Sequence, residues 1–140
     1  TLKPGKFRVG TVTNPADNFE AGEIVVLNST SGTAKRVGTT AMAANSTGFD
    51  GGPVGVAFET FTQSLNECAG SGYATVICNQ HIGQTTQFDA ASGYNPGVKL
   101  SNSTVADGNF AITTALPAAY VIMKNGSWLE YMWMVPTPTS

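Results

Sequence analysis

His81 is the one imidazole in this 140-residue chain, and in "CNQHIG" it follows Cys78 by three residues. A thiol and an imidazole are the residue types of a nucleophile and its base. Along an extended strand, however, side chains alternate between faces, so residues three apart point opposite ways. The two are therefore predicted not to act together, and His81 reads as a hydrogen-bonded strand histidine. The acids Asp50, Glu59, Glu67, Asp89 and Asp107 lack the paired spacing that glycoside hydrolysis requires. "DGG" from Asp50 and "DG" from Asp107 read as turns, because no run of alternating oxygen ligands follows either one as in a calcium loop. No phosphate-cradling Gly motif occurs. Cys68 and Cys78 flank a Gly-rich stretch that could bring them together in a hairpin. Buried thiols and a disulfide both fit, whereas a single histidine cannot complete a four-ligand metal shell with them. No catalytic residue, metal or cofactor is predicted.

The elements that carry these residues read as strands. Short runs rich in Val, Ile, Thr and aromatics recur between Gly, Pro, Asn and Asp: "FRVGTVT", "EIVVLN", "AKRVG", "PVGVAF", "YATVICN", "GVKLS", "FAITT", "AYVIM" and "WLEYMWMV". That spacing predicts an all-β domain, a single sandwich or barrel. Ser31-Gly32, Asp107-Gly108 and Asn125-Gly126 supply the positive-φ positions of tight turns. Helix signals are weak; at most two short helices are expected, within residues 41–45 and 61–68. The expected organisation is one domain over residues 1–140, with an N-terminal arm (1–12), a body (13–127), and an apolar strand with a Pro/Thr-rich tail (128–140).

One device occurs twice. "FEAGEIVVLNSTSG" (19–32) and "YNPGVKLSNSTVADG" (94–108) share an aromatic, a Gly three residues on, an apolar run, the triplet Asn-Ser-Thr and a Gly-containing turn. Gly22 and Gly97 permit a sharp backbone bend that a side chain would obstruct. Each copy is followed by a second apolar run, "GPVGVAF" and "PAAYVIM", which can return to pair with the same sheet. Two imperfectly repeated strand–turn units are therefore expected, with "YATVICNQHIGQTTQF" as a connecting hairpin.

Composition narrows the partners. Charged residues make up 11% of the chain, against roughly 25% in an average soluble domain. Such a weakly charged surface suits a protein packed against other protein. A net charge of −2 gives no basic patch for phosphates, so nucleic acid is an unexpected partner. No stretch approaches the roughly 20 apolar residues of a membrane span, and "TLKPGKFRV" has no apolar signal core; a soluble chain with no membrane partner is expected.

The order "FEAGEIVVLNSTSGTAKRV", "GPVGVAFETF", "GYATVICNQHIGQTTQFD", "YNPGVKLSNSTVADGNFAITTALPAAYVIM" resembles the small head-decoration, or cement, proteins and related minor capsid proteins of tailed bacteriophages. The similarity spans about residues 19–123. Two features depart from the shorter family members: the "ETFTQSLNECAGSG" insertion and the aromatic C-terminus. The resemblance implies a non-enzymatic virion protein on the capsid exterior, present in the host cytoplasm during assembly. Its partners would be the major capsid protein and further copies of itself, as a dimer or trimer. It would stabilise the shell by bridging neighbouring capsomers, with many weak contacts adding up through avidity.

Two segments suit such contacts. "TLKPGKFRVG" reads as an extended arm with Leu2, Lys3, Lys6 and Arg8 available to a neighbour. In "GSWLEYMWMVPTPTS", Trp128, Glu130, Met132 and Met134 face one way along a strand, and Leu129, Tyr131, Trp133 and Val135 the other. Neither face is polar, so burial on both sides is expected, with Trp128, Tyr131, Trp133 and Met134 divided between sandwich core and intersubunit contact. The alternative is a carbohydrate-binding β-sandwich in which Trp128, Tyr131 and Trp133 form an exposed stacking platform.

Overall fold

The structure, a computed structural model, describes residues 6–8, 18–40, 54–60, 73–115 and 117–134. Ten strands form two five-stranded antiparallel sheets, as the all-β reading expects. They are β1 (Lys6–Arg8), β2 (Ile24–Leu27), β3 (Ala34–Arg36), β4 (Gly55–Ala57), β5 (Tyr73–Ile77), β6 (His81–Thr85), β7 (Lys99–Asn102), β8 (Phe110–Ile112), β9 (Ala119–Asn125) and β10 (Trp128–Trp133). No helix occurs among the described residues; 41–45 and 61–68, where short helices are expected, lie outside them.

The sheet orders are β1-β5-β4-β2-β3 and β6-β10-β9-β7-β8, so adding five to each strand of the first gives the second. Backbone hydrogen bonds repeat with the strands. Gly22 N–H donates to Ala57 C=O and Gly97 N–H to Val121 C=O, both at 2.8 Å. Val37 N–H donates to Ile24 C=O and Thr113 N–H to Lys99 C=O, both at 3.0 Å. Val54 N–H donates to Val25 C=O and Ala118 N–H to Leu100 C=O, both at 2.8 Å. The repeated device is thus one half-domain used twice. The Gly bend starts it, the apolar run forms its second strand, and the returning run (β4 or β9) pairs beside that strand.

The register of the repeat differs by one residue from the sequence match. Asn28 N–H donates to Thr33 C=O as Ser103 N–H does to Asn109 C=O, which makes Ser103 the counterpart of Asn28. The side chains agree. Asn28 Oδ1 accepts from the N–H groups of Thr30 and Ser31, and Ser103 Oγ accepts from those of Val105 and Ala106. Both are side-chain-capped turns, built once with an amide and once with a hydroxyl. Asn102, which the triplet aligns with Asn28, is instead buried and donates to the carbonyls of Gly38 and Thr40 in the other half.

The β-branched run of β2 packs on both faces. Ile24 and Val26 point into the main core with Val56, Leu100, Phe110, Leu129, Tyr131 and Trp133. Val25 joins Phe19, Ala34, Ala57, Ala74 and Val76 in a second cluster across the sheet. The first sheet is therefore covered on both sides, which a continuous apolar run requires. The second sheet buries one face only. It also curls: Phe88, just past β6, forms a parallel bridge to Phe110 in β8, with Phe110 N–H donating to Gln87 C=O and Asp89 N–H to Phe110 C=O, each at 2.9 Å.

β5 and β6 do not pair as a hairpin; β5 lies between β1 and β4, and β6 lies beside β10. The short link of Cys78, Asn79 and Gln80 carries the chain from one sheet to the other, because each half completes its own five-strand order. Nor do Lys6 and Arg8 belong to a free arm: they sit in β1, in register with Thr75 and Tyr73 of β5. Leu2 and Lys3 lie outside the described residues. Deleting residues 1–8 is accordingly expected to lower stability by about 2 kcal/mol, a few net backbone hydrogen bonds, and to speed amide exchange in β5. Urea denaturation with exchange readout checks this; unchanged values for both would mean that β1 adds nothing to the sheet.

Candidate interaction groove and the face beside it

β10 alternates between exposed and buried residues because the second sheet is one-sided. Leu129, Tyr131 and Trp133 enter the core, while Trp128 and Met132 face out. The expectation that β10 is buried on both faces is not met within this chain. Tyr131 and Trp133 are buried core residues, and Met134 is half-buried with its N–H donating to Ala118 C=O. Trp128 alone of the three predicted ring contacts is exposed, at 49%. The stacking platform of Trp128, Tyr131 and Trp133 is therefore not assembled: alternation puts one ring on the opposite face from the other two.

Beside Trp128 a groove of about 420 Å³ runs along β6, between that strand and the Gly22 bend and β4 of the first half. Its walls include Val56, Phe58, Ile77, Ile82, Trp128 and Tyr131. Phe58 and Ile82 are 66% and 65% exposed. Met132 stands directly opposite Ile82 across the ladder, and Met123 stands opposite Glu130. Five of the seven large apolar side chains exposed among the described residues, Phe58, Ile82, Met123, Trp128 and Met132, thus gather around one groove and the sheet face next to it. Sequence reading missed Phe58, Ile82 and Met123. The period-2 pattern of "WLEYMWM" is local, but which strand lies beside it is not.

The polar groups of the groove are tied down. His81 Nδ1 lies 2.7 Å from the Asn79 carbonyl and Nε2 lies 2.9 Å from Tyr131 Oη. A carbonyl only accepts, so Nδ1 carries the proton and, in the neutral ring, Nε2 accepts from the Tyr131 hydroxyl. Burial raises the Tyr131 phenol well above its ordinary value of 10.0, which keeps it a donor. Thr85 Oγ1 donates to the Gly22 carbonyl at 2.8 Å and accepts from Gln87 N–H at 2.9 Å, tying one end of the groove across the two halves. Cys78, half-buried after β5, packs on the second core cluster with Sγ 3.7 Å from Val76 C=O. Its relation to Cys68 falls outside the described residues. No three His, Cys, Asp or Glu side chains come together as a metal site among the described residues.

Among the described residues the ion pair Glu23–Arg36 lies away from the groove, against the Gly108 turn of the other half. Glu23 is buried, accepts from Glu20 N–H at 2.6 Å and pairs with Arg36 Nε at 3.1 Å. Burial raises its pKa above 4.5, while Glu20 N–H and Arg36 pull it back. Tyr94 donates to Asp89 C=O at 2.7 Å, and burial, with Asp89 beside it, pushes its phenol up to about 12. Asp89 in turn accepts from Ser103 Oγ and Asn109 Nδ2, which holds the segment after β6 against the β7–β8 turn. These contacts position strands and leave no charged group in the groove. Comparison with family models, with characterised proteins and with solved structures found no match to the chain.

Proposed function

We propose that this chain is a non-enzymatic structural protein that attaches to the outer surface of a tailed-phage capsid, bridges neighbouring capsomers and stabilises the shell. The observation that carries the proposal is the gathering of Phe58, Ile82, Met123, Trp128 and Met132 on one side of a chain with few charges. A large apolar patch rimmed by polar residues marks a protein–protein contact site, and Trp and Met are enriched in interface cores. The resemblance in strand order and turn motifs to decoration proteins gives the class of partner: the major capsid protein, with further copies of this chain as a dimer or trimer. Copies on a symmetric shell would multiply a modest contact through avidity.

The test adds the full chain to undecorated, expanded shells and measures co-sedimentation and the temperature at which the shells rupture. Binding with a raised rupture temperature is expected, because a ligand of the intact state stabilises it by mass action. The double variant Trp128→Ala, Met132→Ala should fold normally and lose at least tenfold in shell affinity. A wild-type chain that neither sediments with shells nor shifts their rupture overturns the proposal.

A further inference from the structure

The groove runs along the edge of β6, not across one of its faces. Six consecutive residues, His81 to Thr86, line it. In a strand viewed from one face only alternate residues would do so, since neighbouring side chains point to opposite sides. β6 pairs with β10 on one side and ends the sheet order on the other. The curl that brings Phe88 to Phe110 does not cover this edge: the bridge is parallel, so β8 runs on beyond Phe88 and away from His81. Among the described residues no backbone–backbone hydrogen bond is made at the outer edge of His81–Thr85; only the Thr85 side chain reaches across, to Gly22 C=O. Such an edge is a template for an incoming strand.

The same sheet already shows what fills an edge. At β8 the segment Gln87–Asp89 is taken up through two backbone hydrogen bonds. The charge of the groove selects what could do likewise at β6. Although the chain holds 7 basic and 9 acidic residues, none of the residues lining the groove is Asp, Glu, Lys or Arg. A charged side chain entering it would lose solvation without gaining a partner. Apolar walls at Phe58, Ile77 and Ile82 suit alternate apolar side chains of an extended segment, and β6 offers His81 to Gln84 as ladder, short of the Thr85 end that is tied to Gly22.

We propose that the groove takes an extended, uncharged segment of a partner protein, which adds as a strand to the outer edge of β6 at His81–Gln84. That the partner is a capsid subunit rests on the function proposed above; the mode of binding rests on the edge and the groove. Backbone hydrogen bonds would supply the attachment, and the uncharged pocket would reject segments carrying Lys, Arg, Asp or Glu at its inward positions.

The probe is a blocked peptide, acetyl-Thr-Val-Thr-Val-Thr-Val-amide, titrated into the full-length chain with amide exchange read residue by residue. Saturable binding is expected, with exchange at β6 slowed at least tenfold and Trp128 fluorescence shifted. The same peptide N-methylated at alternate residues should bind at least tenfold more weakly, because it cannot complete a ladder. Ile82→Lys and Phe58→Glu replace exposed side chains, so both should melt with the wild type, and each should reduce peptide binding at least tenfold. Equal binding of the N-methylated peptide, or protection elsewhere but not at β6, overturns strand addition; so does full peptide binding by both variants. Repeating the series with shells separates the two proposals. Peptide capture at β6 without shell binding would sink the decoration reading alone, whereas shell binding unaffected by Ile82→Lys and Phe58→Glu would place the contact away from the groove.

Discussion

Gly108→Ala is expected to destabilise the fold by about 3 kcal/mol, whereas Gly32→Ala costs about 1 kcal/mol, although the two glycines close equivalent turns of the two halves. Both have left-handed backbones, with φ of 79° at Gly108 and 70° at Gly32, so both pay the conformational penalty of a side chain there. They differ in what a methyl group would meet. At Gly32 nothing lies within 4 Å. At Gly108 the new Cβ runs into the Glu23 carboxylate and comes 3.1 Å from Arg36 Cγ. Relief would displace a buried carboxylate from its guanidinium and from Glu20 N–H, and uncompensated buried charge is among the costlier faults a fold can carry. The surrounding backbone cannot give freely, because Gly108 N–H donates to Val37 C=O at 2.9 Å and Gly108 C=O accepts from Ile24 N–H at 2.8 Å. Those two bonds lace the second half onto the first. Urea denaturation of the two variants side by side is the check; equal losses would mean that the ion pair yields without cost and the seam is softer than its geometry indicates.

Trp133→Ala should cost about 3–5 kcal/mol, while Trp128→Ala on the same strand should change stability by no more than about 0.5 kcal/mol. Trp133 is fully buried, edge-to-face with Phe110 at 6.0 Å and 6.3 Å from the His81 ring. Truncation would open a cavity where the two halves share their core. Its indole Nε1 has no hydrogen-bond partner among the described residues, so Trp133→Phe forfeits packing volume and no polar contact. The Phe variant is therefore expected to lose less than half of what the Ala variant loses. Thermal and urea unfolding followed by circular dichroism would rank the three. A Trp133→Phe loss as large as that of Trp133→Ala would reveal a hydrogen bond to the indole, and a large loss at Trp128 would contradict its exposure.

Strands, turns and the repeat were legible in the sequence because each rests on neighbours along the chain. Short apolar runs rich in Val and Ile, such as "EIVVLN" and "AYVIM", mark strands, and positive φ at Gly32, Gly108 and Gly126 follows from turn chemistry spanning a few residues. The bends at Gly22 and Gly97, and the return of β4 and β9 beside β2 and β7, were readable for the same reason. An all-β chain made of two like units was therefore readable from local patterns. How those units meet rests on long-range pairing. That Ser103, not Asn102, stands in for Asn28 depends on hydrogen bonds to Asn109 and not on the letters of a triplet. That β6 leaves β5 for β10 depends on each half closing its own sheet, a choice made by pairing partners some 50 residues apart, such as His81 and Trp133. The same long-range pairing buried Tyr131 and Trp133, left Trp128 outside, and set Phe58 beside Ile82 across the seam. Alternation along a strand says that two faces exist; which of them meets water is settled by what the rest of the chain packs against it.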